Sequence, residues 1–221
     1  MIKQLKKVNS RPDYVSEVYN TLLDAISDGS LAPGARLTQE EIAEQMSVSR
    51  SPVLQALRLL KKDGFVTDAP GRGVLVAPLD ANWFRHLYDI RGALEELAVR
   101  LAAAKRASID PHILAEGRAA VASDDVKRMI DADIAFHFAI SEASANPLIL
   151  ESIRSYWGHL RRVMGPVLLN TPNRQSIWDD HEAIAEAIKA GDGEAAVRHL
   201  AAHNQTAKQA VIEQVTRLVA Q

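Results

Sequence analysis

Residues Thr38–Gly64, TQEEIAEQMSVSRSPVLQALRLLKKDG, hold the two helices and the turn that decide how the chain reads. Thr38 is followed three residues on by Glu41, the spacing of a capping box that satisfies the free amides at a helix start. The helix it opens is short and ends at Met46. Ser47-Val48-Ser49 then turns the chain. A second helix begins near Ser51, with Pro52 in its first turn, where the missing N–H costs nothing. It runs to Asp63 and stops at Gly64. A short helix, a tight turn and a second helix are the parts of a helix-turn-helix.

The second helix is two-faced. Val53, Ala56, Leu57 and Leu60 share one side and are expected to pack inward. Arg50, Ser51, Leu54, Gln55, Arg58, Lys61 and Lys62 lie opposite. Arginine pairs with guanine through two hydrogen bonds, Ser and Gln contact bases or phosphates, and an outward leucine suits a thymine methyl. The free amides at the helix start suit a phosphate. The bland alternative is a solvated basic face on a small helical module.

Working outward, Val15, Val18, Leu22 and Ile26 are at helical spacing over 14–28, and Gly29 ends that helix. On the other side, 65–68 and 74–77 flank Pro70-Gly71-Arg72-Gly73 and read as a β-hairpin. Three helices and a hairpin within residues 1–77 make a winged helix, and Arg72 at its tip can enter a minor groove. Residues 78–82 read as a linker. The rest, 83–221, reads as an all-α bundle, with helices over 82–106, 111–122, 125–144, 147–165, 175–190 and 193–219. Breaks are expected at 108–111, 145–147, 165–166, 171–173 and 191–193. Alternating strands are absent, which argues against a Rossmann or barrel enzyme.

With 221 residues the chain is comfortable as two domains, and 47% hydrophobic residues allow a sizeable core. It has no cysteine, so no disulfide, thiol nucleophile or Cys-ligated zinc. No run of apolar residues is long enough to span a membrane. The N-terminal MIKQLKKVNSRPDY has charge with no apolar stretch behind it, unlike a signal peptide. A cytoplasmic protein is expected. Net charge is −2; residues 1–77 carry 10 Lys/Arg and 9 Asp/Glu (+1), and the remainder 16 and 19 (−3). A DNA reader with this balance must focus its basic groups on one surface.

The N-terminal half resembles the GntR-family winged helix. The resemblance rests on Gly34-Ala-Arg36-Leu37, Glu41-Ile-Ala43, Val48-Ser-Arg50-Ser51-Pro52-Val53-Leu-Gln-Ala56-Leu57, Asp63-Gly64-Phe65-Val66 and Gly71-Arg-Gly73-Val74-Leu-Val76. It implies operator contacts by Arg36, Ser49, Arg50 and Ser51, with Gly73 in the wing. The family usually has Arg-Glu after Pro-Val. Here Leu54-Gln55 stand there, so the family's operator preference does not carry over.

In the C-terminal half, polar groups recur on apolar helix faces. Asp133 and His137 are i, i+4 neighbours on the stripe of Val126, Met129, Ile130, Phe136 and Ile140. His181 lies between Ile177 and Ile184. His203 and Asn204 flank the face of Leu200, Ala207, Val211 and Leu218. A lone buried histidine is ordinarily a hydrogen-bonded core residue; one Asp and three His converging can satisfy one another through a divalent metal (Zn-, Ni- or Mn-like). His199, i, i+4 from His203, is a competing candidate but points further toward solvent; His86, His112 and His159 show no such grouping. Arg91 sits at the edge of a stripe made by Leu87, Ile90, Leu94, Leu97 and Leu101, with Glu95 further out. That arrangement reads either as a surface ion pair or as a guanidinium at a cavity rim that grips a carboxylate.

This half resembles the FCD ligand-binding domain of FadR-type regulators, through Tyr88-Asp-Ile-Arg91-Gly-Ala-Leu-Glu95, Asp133-Ile-Ala-Phe136-His137, Ala143-Ser-Ala-Asn146-Pro-Leu, His181-Glu-Ala-Ile-Ala-Glu-Ala-Ile, Gly191-Asp192, Ala196 and His203. The resemblance implies a metal site of Asp133, His137, His181 and His203 beneath a cavity, and an arginine that helps bind an organic acid. Arg91 and Asn204 are the effector-site candidates, with Arg91 taking a second anionic group. The expected function is a homodimeric, ligand-responsive DNA-binding regulator, a repressor and not an enzyme. The alternatives are a metal-sensing regulator or a metal-dependent hydrolase or isomerase.

Overall fold

The computed structural model describes residues 13–220; residues 1–12, with most of the charged N-terminal stretch, and Gln221 lie outside it. The chain divides into two compact units, one ending at Ala77 and the other beginning at Pro78.

In the first unit α1 (Tyr14–Ser27), α2 (Gln39–Gln45) and α3 (Arg50–Lys62) pack around Val18, Leu22, Ile26, Ile42, Val53, Leu57 and Leu60. The inward face of α3 is the expected one, Val53, Ala56, Leu57 and Leu60. The Thr38 hydroxyl accepts the Glu41 amide at 3.3 Å and donates to the Glu41 carboxylate at 2.6 Å. The carboxylate thus holds the capping hydroxyl itself. Ser47, at φ +53, makes the turn between α2 and α3. The hairpin is β2 (Val66–Asp68) and β3 (Val74–Val76), with Val66 opposite Val76. A further strand, β1 (Arg36–Leu37), pairs antiparallel with β3 and places Leu37 opposite Val74. Two residues are too few to show a strand period, so the sequence reading has no strand here.

The second unit contains α4 (Ala81–Ala104), α5 (Pro111–Ala122), α6 (Val126–Ala143), α7 (Pro147–Leu169), α8 (Gln175–Ala190) and α9 (Gly193–Val219). Helix α4 is central and packs on α6, α7, α8 and α9. Asp80, Asp110, Asp125, Asn146 and Asp192 each accept a first-turn amide, which is why the helices start where they do.

Two expectations fail. The break at Gly165-Pro166 is absent, and α7 continues to Leu169 with Pro166 inside it. Proline forfeits one amide donor, a cost of about 3 kcal/mol in a helix interior. Burial of Leu160, Val163 and Leu168 on the same helix outweighs it, and the Asn170 side chain donates to the Pro166 carbonyl at 2.8 Å. On α4 the buried face is also rotated from the one read in sequence. Ile90 and Leu97 are 60% and 44% exposed, while Arg91 and Glu95 are 3% and 1% exposed.

Gly117 of α5 lies against Trp178 of α8. A Cβ there would fall 2.0 Å from the indole ring. Trp178 in turn meets the His181 ring edge-on at 4.7 Å. Gly117→Ala is therefore expected to destabilise the protein by about 1–3 kcal/mol, despite alanine's better helix propensity, because overpacking a core outweighs it. A urea midpoint equal to or above that of the wild type would contradict this packing.

Candidate functional site

Two constellations emerge, one in each unit. In the first, α3 presents Arg50, Ser51, Gln55 and Arg58 to solvent, and Leu54 is half-buried. Ser49 precedes the helix in extended conformation, and its hydroxyl makes no capping hydrogen bond. Arg50 meets Glu40 at 3.2 Å, both largely exposed. Such a pair contributes little, so the guanidinium is available to a phosphate or a base. Gln55 approaches the Ser51 hydroxyl at 3.4 Å. Arg72 stands exposed at the hairpin tip between Gly71 and Gly73, both at positive φ.

Two of the operator-contact candidates have structural duties. The Arg36 guanidinium donates to the Pro70 carbonyl at 2.8 Å and to the Arg72 carbonyl at 3.1 Å, so it clasps the wing turn. Gly73 combines φ +88 with a Leu37 carbonyl oxygen 2.4 Å from where a Cβ would stand, so only glycine fits there. Lys61 is bound to Asp68 of the hairpin at 2.6 Å.

In the second unit, Asp133 and His137 on α6, His181 on α8 and His203 on α9 converge. One donor atom from each lies within 4.8 Å of the others. The three histidines are 6% exposed or less, and Asp133 is partly exposed. His181 is fully buried, and neither of its ring nitrogens has a hydrogen-bond partner among the described residues. Phe136 stacks on its ring at 4.1 Å, and the nearest carboxylate oxygen, from Asp133, stands 3.6 Å away. Desolvation and the neighbouring His203 and His137 hold the His181 pKa well below its usual value, so the ring is neutral with an available lone pair. A buried imidazole without partners is costly, and a cation shared with Asp133 and the other two rings answers it. The donor set of one carboxylate and three imidazoles fits a divalent transition ion.

Behind His137 lies a closed polar layer. Glu95 accepts from His137 Nδ1 at 3.0 Å, from Arg91 Nε at 3.0 Å and from the Asn204 amide at 2.9 Å. Burial raises the Glu95 pKa, but Arg91 and His137 outweigh it and hold the carboxyl far below the usual carboxylate range. Burial likewise holds the His137 pKa down against the pull of Glu95, so that ring is neutral too. With Nδ1–H directed at Glu95, Nε2 is the lone-pair side; it accepts from Arg91 Nη2 at 2.9 Å. The guanidinium also lies over Trp157 and Tyr88, at 4.9 and 5.2 Å from the ring centres. The surface-pair reading of Arg91 and Glu95 is therefore overturned, because their partners on α6 and α9 make burial tolerable.

A cavity of about 150 Å3 opens over the site. Arg91, Asp133 and His203 line it beside Tyr88 and Asp180. Asn204 does not line it; its amide is held by Glu95. Sequence reasoning placed Glu95 too far out and missed Asp180, whose Oδ2 lies 3.6 Å from His203 Nδ1. The only sequence signals were Glu95 one turn beyond Arg91 and Asp180 beside His181. His199, His86 and His112 are exposed, while His159 is buried and meets the Trp83 ring at 4.5 Å.

Comparison with known proteins follows the same division into two units. Residues 15–76 match the model for bacterial regulatory proteins of the gntR family, and residues 86–206 match the FCD domain. The HTH-type transcriptional regulator YdhC of Bacillus subtilis is 30% identical over 206 residues, 89% of this chain and 90% of the relative. A GntR transcriptional regulator from Rhodococcus sp. RHA1 superposes with a TM-score of 0.75 at 28% identity, covering 90% of this chain and 97% of its own. Escherichia coli McbR/YncC superposes with a TM-score of 0.75 at 26% identity, covering 91% and 98%. No helix among the described residues is long and apolar enough to cross a membrane. A winged helix that presents an arginine-bearing helix, joined to a bundle with matches along most of its length, places this chain in the gntR family as a DNA-binding transcriptional regulator with an FCD domain.

Proposed function

We propose that the chain is a cytoplasmic, homodimeric repressor whose operator affinity is set by a small carboxylate bound at a divalent metal. Asp133, His137, His181 and His203 hold that metal. The observation that carries the reading is His181, fully buried with both ring nitrogens unpartnered among the described residues, in the centre of the cluster. When bound, the ion supplies a positive site with open positions for an anionic ligand. Asp133 and the three neutral rings leave it a net charge of +1. A ligand there ties α4, through Arg91, to α6, α8 and α9. Helix α4 begins four residues after Ala77, so a shift in its packing reaches the end of the DNA-binding unit along the chain. A coupling of about 1–3 kcal/mol changes DNA affinity roughly 5–150-fold.

Glu95 is the positioning residue for the metal, because its hydrogen bond fixes the tautomer and plane of His137. Metal analysis of purified protein should give one equivalent per chain, lost in His137→Ala/His181→Ala. Glu95→Gln should retain the fold and weaken metal binding about 10–100-fold, as expected for such outer partners. Stoichiometric metal in the double variant would refute the assignment.

The DNA half rests on the exposed face of α3. Arg50→Ala is expected to abolish operator binding. Leu54→Arg should change which sequences a random-DNA selection returns, since an apolar contact is exchanged for a guanine-seeking one. Identical motifs from Leu54→Arg and wild type would remove Leu54 from the interface.

The two-fold symmetry of operators supports the dimer. One winged helix reads few bases, and a two-fold operator needs two readers. Ile90 and Leu97, two turns apart on α4 and both exposed, are the apolar residues best placed to be covered by a second copy. Light scattering should give a dimer for the wild type at micromolar concentration and a monomer for Ile90→Glu/Leu97→Glu. A dimer that survives the double substitution would move the interface elsewhere.

A further inference from the structure

The cavity says more about the effector than that it is an acid. Its polar end is small, with Arg91, Asp133 and His203 beside Tyr88. Its walls are mostly apolar, with Leu160, Met164, Val167 and Leu168 from α7, Ile177 from α8 and Val211 from α9, and the hydroxyl residues Thr171, Ser176 and Thr206 stand among them. The volume of about 150 Å3 is that of a cavity able to take one benzene ring.

Charge sets the number of carboxylates. Among the described residues, Arg91 is the only Lys or Arg side chain that lines the cavity, and Glu95 already neutralises it at 3.0 Å. With the ion in place and its ligands counted, the excess is a single positive charge. Asp180, on the cavity wall, is half-exposed and screened by solvent, so it leaves that excess largely in place but stands against a second anionic group. A second carboxylate would therefore find no free cation and would meet Asp180. On this count the Arg91 guanidinium donates hydrogen bonds to the one carboxylate and brings no spare charge for a second anionic group.

Resting on the metal-site reading above, we infer that the effector is a monocarboxylate with an apolar body of about six carbons, an aryl or short alkyl acid. Dicarboxylates and sugar acids are disfavoured. The carboxylate sits at the metal end near Arg91, and the body packs against the mostly apolar walls contributed by α7, α8 and α9. Apolar burial gives affinity that rises with each methylene until the cavity is full.

The test is calorimetry on the full-length, metal-loaded protein, with metal content measured on the same sample. Acetate, butyrate, hexanoate and phenylacetate form one arm; succinate, citrate and gluconate form the other. Hexanoate and phenylacetate should bind at least tenfold more tightly than acetate and more tightly than any member of the second arm. Ala207→Phe, which fills the cavity from α9, should erase that gain while metal content and acetate binding persist. Met164→Thr, which makes the wall polar without filling it, should reduce the gain and guards against misfolding of the first variant. A protein that holds metal but binds succinate or gluconate more tightly than hexanoate overturns this inference and leaves the metal site standing. So does an affinity independent of chain length. A protein that holds no metal and binds no carboxylate overturns both.

Discussion

Arg91 and Glu95 meet 3.0 Å apart with almost no exposed surface, among the residues that form the core of a helical bundle. A buried ion pair of this kind contributes little net stability, but removing one partner costs about 3–5 kcal/mol, because the other charge is stranded. The pair is tolerated because both charges have partners, although the Asn204 carbonyl oxygen beside them has none among the described residues. His137 from α6 and Asn204 from α9 complete the carboxylate, and Trp157 and Tyr88 face the guanidinium. Those partners come from separate helices, so the arrangement fixes how α4, α6, α7 and α9 face one another. The orientation of His137 follows from it, and with that the position of one metal-ligand candidate. The fold and the candidate site are thus held by the same contacts.

That coupling also explains which parts of the structure were legible in the sequence. Helix starts were, because Asp and Asn caps and proline at the first turn act locally. The inward face of α3 was, because Val53, Ala56, Leu57 and Leu60 follow the helical period without exception. The four ligand candidates were, because polar residues on apolar stripes stand out. The buried face of α4 was not. Hydrophobic periodicity pointed to Ile90 and Leu97, whereas the true core face includes two charged residues whose partners lie 42 and 109 positions along the chain, from Glu95 to His137 and Asn204. Periodicity carries no information about such long-range closure. Pro166 misled for a related reason, since the tertiary burial that keeps α7 continuous is invisible to a local breaker rule.

The wing shows the same division of labour on a smaller scale. Arg36 and Gly73 were named as DNA contacts by resemblance alone. In the structure each also shapes the wing, since Arg36 donates to two wing carbonyls and Gly73 lets β3 approach Leu37. These duties are compatible with DNA binding and change what a substitution measures. Loss of binding on changing Arg36 would combine any lost phosphate or base contact with a wing no longer held in shape. Arg50, whose one ion pair is exposed, is free of that ambiguity and reports on recognition more directly.

The contact between Arg91 and His137 carries a last consequence. Arg91 Nη2 lies 2.9 Å from Nε2 of His137, the nitrogen left for a metal once Nδ1–H is committed to Glu95. A guanidinium and a divalent ion cannot share that lone pair. A metal held there as proposed would require the Arg91 donor to leave His137. On the proposed metal site, the guanidinium and the ion would compete for one nitrogen, so the polar end of the cavity would differ with and without the metal.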